Sequence, residues 1–166
     1  DSSFSGSKSA FGGAGSQAGG AGTIYTNYGG AAHGDLLIDN NSLSNAYAAT
    51  PQVAGTTERY GTVTVTRNAL YVIPDTSIIT VDNSLTANAN TGAITINAGG
   101  TLNLPATWTG SYLILTNNGA VGTVEHLSLS NAAIYQNGTL PNLTDLTIGT
   151  SSVFEFQNLN ASTPFT

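Results

Sequence analysis

The hydrophobic positions of this chain fall into one recurring phrase. An apolar-x-apolar triplet leads into a short turn rich in Asn, Gly or Ser, and a second apolar residue or triplet follows. The phrase is clearest between residues 61 and 105, where Val63-x-Val65 leads to Leu70-x-Val72, Ile79-x-Val81 to Leu85, and Ile94-x-Ile96 to Leu102-x-Leu104. Apolar ends around a Thr centre are the period-2 signature of a strand with one buried and one wet face. β-Branched residues suit such a pleated, half-buried surface. The phrase continues upstream as Leu36-x-Ile38 and downstream as Leu113-x-Leu115, Leu127-x-Leu129 and Leu146-x-Ile148, the last followed by Val153 and Phe154-x-Phe156.

The triplets begin at 36, 63, 79, 94, 113, 127 and 146, so the gaps are 27, 16, 15, 19, 14 and 19 residues. That is an uneven internal repeat, slightly shorter than the roughly 20–50 residues of most solenoids and propellers. It predicts an all-β β-solenoid of six to seven short coils, each coil two strands meeting at a corner. In that arrangement Leu36, Val63, Ile79, Ile94, Leu113, Leu127 and Leu146 stack in one buried row. The alternative is an antiparallel β-sandwich or jelly roll, which would divide the same residues between two sheets.

In chain order, residues 1–22 carry seven glycines and little apolar area beyond Phe4 and Phe11, so they read as a leader or linker. The β-solenoid domain is expected over 23–158, with residues 40–57 as a long lateral loop. Residues 159–166 form a polar tail. Without a Lys-Ser/Thr pair after it, the Gly-rich leader is not a phosphate cradle.

Composition narrows the function. Charged residues make up 7% of the chain, against roughly 25% in ordinary soluble domains, so Thr, Ser, Asn and Gly must fill the wet positions. Three basic residues and a net charge of −6 argue against nucleic acid and anionic membrane as partners. No apolar run reaches the roughly 20 residues of a membrane span, so no membrane insertion is expected. Zero Cys removes thiolate metal sites, and neither a metal nor another cofactor is expected.

The runs YGTVTVTRNALYVIP and GAITINAGGTLNLP, after the Gly-rich GGAGSQAGGAGTIYT, resemble the parallel β-helix segments of bacterial cell-surface proteins. Those belong to the broad pectin-lyase-like and filamentous-haemagglutinin-like group. The resemblance spans roughly residues 20–158 and implies a right-handed parallel β-helix, an extracellular, cell-surface location and an adhesive role. It carries over no catalytic residue.

The chemistry-bearing residues support catalysis poorly. Asp39 and Asp82 each follow a triplet, but Thr66, Asn97, Thr116, Ser130 and Gly149 hold the matching places, which reads as turn chemistry. Glu125, His126 and Asp145 have no zinc spacing, and both His126 and His33 are expected on the surface. Asn40, Asn68, Asn83, Asn97, Asn117 and Asn131 fall just past triplets, where Asn tolerates left-handed backbone and builds amide ladders between stacked coils. The run Thr62-Val-Thr64-Val-Thr66 suggests ice binding only if a flat Thr array recurs coil after coil.

Aromatic residues offer the best binding candidates. Tyr71 sits at the centre of Leu70-x-Val72, Trp108 in the polar connection ATWTG, and Tyr112 directly before Leu113. All three are expected as exposed rings that stack on sugars. The leading expectation is a non-enzymatic module of a secreted or cell-surface protein that adheres to a polysaccharide, a surface glycan or another surface. One alternative is a self-assembling subunit of an extracellular filament or layer, with copies of itself as partners. The other is a polysaccharide lyase or glycoside hydrolase.

Overall fold

The computed structural model describes residues 7–13, 19–43, 48–88 and 90–157. Among them there is no helix, and fifteen strands wind into parallel sheets stacked as a β-solenoid of about five turns. Phe4 and the 159–166 tail lie outside the described residues.

Each turn has three sides rather than two. Side one is built from residues 57–60 of β4 (Thr57–Thr66), 78–81 of β6 (Ile78–Thr86), β8 (Thr101–Asn103) and β11 (Ala120–Gly122). Side two takes β2 (Asp35–Asp39), residues 62–66 and 84–86, then β9 (Thr107–Ser111), β12 (His126–Ser130) and β14 (Asp145–Ile148). Side three takes β3 (Ala49–Pro51), β5 (Leu70–Ile73), β7 (Gly92–Ile96), β10 (Leu113–Asn117), β13 (Ala133–Gln136) and β15 (Val153–Phe156). β1 (Thr23–Thr26) closes the first edge of side two by pairing antiparallel with β2. The 40–57 stretch therefore contains a strand, β3.

The third side corrects the expected single row. Leu36 stacks on Val63 and Val63 on Leu85 on side two, whereas Ile79 stacks on Leu102 on side one. Ile94 lies between Tyr71 and Leu115 on side three. The triplets thus open different sides of the coils, and Ile79 and Ile94 lie on the first and third sides of a single coil. In-register partners lie 23 residues apart at Ile79 and Leu102 and 19 apart at Leu115 and Ile134.

The corner from side one to side two is a β-bulge. Tyr60 pairs with Val81 but Thr62 with Ser84, so Gly61 faces two residues, Asp82 and Asn83. A bulge bends and twists a strand without ending its ladder. Gly61 is buried there, and a Cβ on it would stand 3.0 Å from both Asp35 Oδ1 and His33 O. The Thr62 amide donates to Asp35 Oδ1 at 2.8 Å. Asp82 accepts from Arg59 Nε at 2.9 Å and lies 2.9 Å from His33 Nδ1.

Inside, all three sides contribute to one apolar column. Tyr71 belongs to it: the ring is buried and its hydroxyl donates to Gln52 Oε1 at 3.0 Å. Leu70 and Val72 are the outward positions of β5, opposite to the expected parity. The run Ala69-Leu70-Tyr71-Val72-Ile73 is apolar throughout, so alternation alone cannot choose its inner face. Two consecutive left-handed residues at the corner, Arg67 and Asn68 (φ 51° and 66°), set the parity that buries Ala69, Tyr71 and Ile73.

Amide ladders appear in two places. Inside, buried Asn117 Nδ2 donates to Gln136 Oε1 at 2.9 Å. Outside, Asn137 Nδ2 donates to Asn118 Oδ1 at 2.9 Å and Gln157 Oε1 at 3.0 Å. Asn40 departs from the expectation, being buried with its side-chain amide unbonded. At the first end, the Gly22 amide donates to Ala10 O at 2.6 Å, and the Phe11 ring lies 5.2 Å from Arg67 Cζ. These contacts fasten the described parts of the leader to the coils.

Candidate functional site

The three aromatic candidates do not form one site. Trp108 is buried, 4% exposed, and its Nε1 donates to Leu85 O at 3.0 Å. Tyr71 is buried in the column described above. Neither ring is available for stacking on a sugar. Thr107 and Thr109 point outward and leave the central Trp108 to the core. Tyr112 alone is exposed, at 39%.

Tyr112 occupies an unusual backbone position. Where each coil turns from side two to side three, a left-handed residue is found: Asn68, Asn88, Asn131 and Ser151, with Tyr112 at φ 56°. Asn accepts this conformation readily, but a bulky residue pays on the order of 1–2 kcal/mol for it. The neighbouring coils hold Tyr112 there. Its amide donates to Ser130 O at 3.3 Å and its carbonyl accepts from the Gly92 amide at 3.2 Å. Gly92 is needed for that close approach, since a Cβ on it would stand 1.9 Å from Val65 O.

Beside this corner opens a groove of about 480 Å³ on the outer surface of side three. Its floor and walls include Leu70, Ala93, Thr95, Ile114 and Thr116, and no charged residue lines it. The parallel register explains the composition. One outward row reads Ala49, Leu70, Ala93, Ile114, Ala133, Val153, apolar at every rung. The adjacent row reads Pro51, Val72, Thr95, Thr116, Tyr135, Glu155, uncharged until its last member. Ile114 is 38% exposed and Val153 45%. No aromatic pattern marks this surface. The signal was Ala or Thr beside each outward Leu and Ile, readable only once the register is known.

The outer surface of side two is different. Thr62, Thr64, Ser84, Thr86, Thr107, Thr109, Ser128 and Ser130 are all at least partly exposed, so hydroxyls recur over several coils. They do not form one lattice. Among the described residues no ladder joins 84–86 to β9, and Trp108 bonds to Leu85 O across that seam. Thr66 is buried and donates its hydroxyl to Ala87 O at 2.7 Å.

The Asp35, Asp39, Asp82 and Asp145 carboxylates are engaged in contacts between chain segments. Asp39 accepts from Arg67 Nε at 2.7 Å, and that hydrogen bond pushes the Arg67 pKa up. Asp39 ends a strand of side two while Asp82 lies at the corner before it, so the two sit at opposite edges of that side. His126 Nδ1 and Asp145 Oδ2 are 2.6 Å apart on adjacent rungs of side two. Among the described residues no three His, Asp or Glu side chains form a metal-binding group.

No family model, curated protein or solved structure matches this chain. The likeness to β-helix repeat proteins therefore stands on the coils themselves, which are compatible with a parallel β-helix repeat protein.

Proposed function

We propose that the chain is a non-enzymatic module of a secreted or cell-surface protein, adhering to a polysaccharide or other surface through the outer surface of side three. Kinship with the bacterial pectin-lyase-like and filamentous-haemagglutinin-like surface proteins is part of the same reading. One observation supports it: an uncharged strip several rungs long, with a groove of about 480 Å³ beside the exposed Tyr112. Concave, mostly apolar surfaces with a few placed hydroxyls are where neutral ligands bind. Thr95 and Thr116, which line the groove, supply hydrogen bonds, and the exposed Tyr112 stands at the adjoining corner. The test is a panel of soluble and insoluble polysaccharides scored for retention and for released sugar. Retention without release is expected, and Ile114→Asp should abolish it while leaving circular dichroism unchanged. Unaltered retention by that variant would remove the site from side three, and released sugar would favour a glycan-active enzyme.

A second reading, self-assembly into a filament or layer, has its own observation. On β14 the inward-type residues Leu146 and Ile148 are 42% and 49% exposed, and Phe156 on β15 is 37% exposed. Apolar area of that kind often marks an interface. Concentration-dependent sedimentation, suppressed by Leu146→Asp, would support this reading.

A further inference from the structure

Side three's apolar row is not uniform. Large and small residues alternate along the solenoid axis: Leu70, Ala93, Ile114, Ala133, Val153. The parallel register fixes that order, so ridges recur every second rung, with troughs over Ala93 and Ala133. Neighbouring strands lie about 4.7–4.9 Å apart, which makes the ridge repeat roughly 9.5 Å. The groove beside Tyr112 is the first trough, walled by Leu70 and Ile114.

We infer that side three binds a neutral β-1,4-linked glycan, lying along the solenoid axis in its extended ribbon form. This inference rests on the polysaccharide reading above and sharpens it to a linkage. In a β-1,4 ribbon alternate sugars present opposite faces, so the chain shows the same relief once per disaccharide. That repeat is close to two rungs. α-1,4-Linked and β-1,3-linked chains coil, and their relief does not recur along a straight line. Charge complementarity sets the other half of the choice. The rungs from β3 to β13 offer no charged outward residue, so an anionic glycan finds no cation to replace its lost water. The second outward row adds Thr95 and Thr116 beside the central ridge, within reach of the hydroxyls at a ribbon's edge.

The experiment compares retention of the protein on β-1,4-linked mannan and cello-oligosaccharides with retention on amylose (α-1,4) and laminarin (β-1,3). Selective retention on the β-1,4 polymers is expected. Ala93→Leu and Ala133→Leu, which fill the troughs, should each weaken it by about tenfold or more, the effect of added methylenes in a fitted apolar site. Leu70→Ala removes a ridge without adding bulk, so its expected loss stands even if a filled trough disturbs the coil. Thr109→Leu, outward on side two, is the control and should change nothing. Equal retention of amylose or laminarin, abolished by Ile114→Asp, would overturn the linkage inference and leave the glycan reading intact. Retention unaffected by Ala93→Leu, Ala133→Leu and Leu70→Ala alike would also overturn it. Failure to retain any neutral polysaccharide would sink both.

Discussion

Side two and side three of the solenoid share a length and a rung spacing, yet they differ in continuity. Side three is one unbroken parallel ladder from β3 to β15, with its inward positions filled by Tyr71, Ile94, Leu115 and Ile134 in register. Side two is interrupted between 84–86 and β9, where the Trp108 indole donates to a backbone carbonyl in place of a strand neighbour. The difference shows how a solenoid with uneven coils remains closed. Coil lengths vary, the ladder of side two breaks at one seam, and a large side chain with a polar tip fills that seam while its N–H satisfies an orphaned acceptor. The cost is local flatness. Of these two sides, only side three presents a regular outer surface several rungs long.

Several substitutions would break or sharpen this contrast. The largest effect is expected inside the unbroken side. Ile94→Asp or Ile96→Asp forfeits roughly 1.5–3 kcal/mol of burial and places a carboxylate without a partner in the column, so the central coils should unfold. Thermal or urea denaturation monitored by far-ultraviolet circular dichroism measures it. At the seam, Trp108→Ala should cost about 3–5 kcal/mol, and it should raise amide exchange around Leu85 and β9 more than on β7. Uniform exchange gain across both sides would show that the seam is no weaker than the ladder.

A smaller effect is set by pH. Burial pushes the Tyr71 pKa up from its ordinary value, with Tyr60 and Glu58 adding to the rise. Burial does the same to Tyr60. A phenol whose folded pKa is raised lends full stability below its unfolded value of about 10, and loses it as pH climbs above that value. Denaturation midpoints should thus be flat up to about pH 9 and fall beyond pH 10. Tyr71→Phe should shallow the fall while losing about 1 kcal/mol at neutral pH for the bond to Gln52. The smallest stability change belongs to the outer surface: Thr95→Asp should lie within about 0.5 kcal/mol of the parent protein, yet impair retention of a neutral glycan. If Thr95→Asp destabilised more than Ile94→Asp, the inside and outside of β7 would be exchanged.

The sequence made the strand class legible because Val63-Thr-Val65, Ile79-Thr-Val81 and Ile94-Thr-Ile96 alternate cleanly, and those ends are buried as expected. It did not reveal the number of sides. A triplet looks the same whether it opens a new coil or turns a corner within one, and the corner at Gly61 is a bulge inside a continuous strand. Parity failed at Leu70-Tyr71-Val72 because every residue there is apolar and the deciding feature is the left-handed pair Arg67 and Asn68. Trp108 failed for a related reason, since flanking Thr residues suggest a wet strand whichever way the centre points. The exposure of Tyr112 was legible from its place before a triplet, although its left-handed backbone is visible only in the structure. The groove was not legible at all, because it depends on which Ala falls between which Leu and Ile across coils of unequal length.

The seam has a spectroscopic consequence. Trp108 is the chain's single tryptophan, and it sits where the side-two ladder is split. In stacked-repeat proteins neighbouring units couple mainly to one another, so a weak boundary can divide the stack into separately opening blocks. Indole emission in this molecule reports that boundary and nothing else, whereas circular dichroism averages over all coils. Red-shifted fluorescence preceding the loss of β signal on heating would mean that the solenoid opens at its middle before it melts.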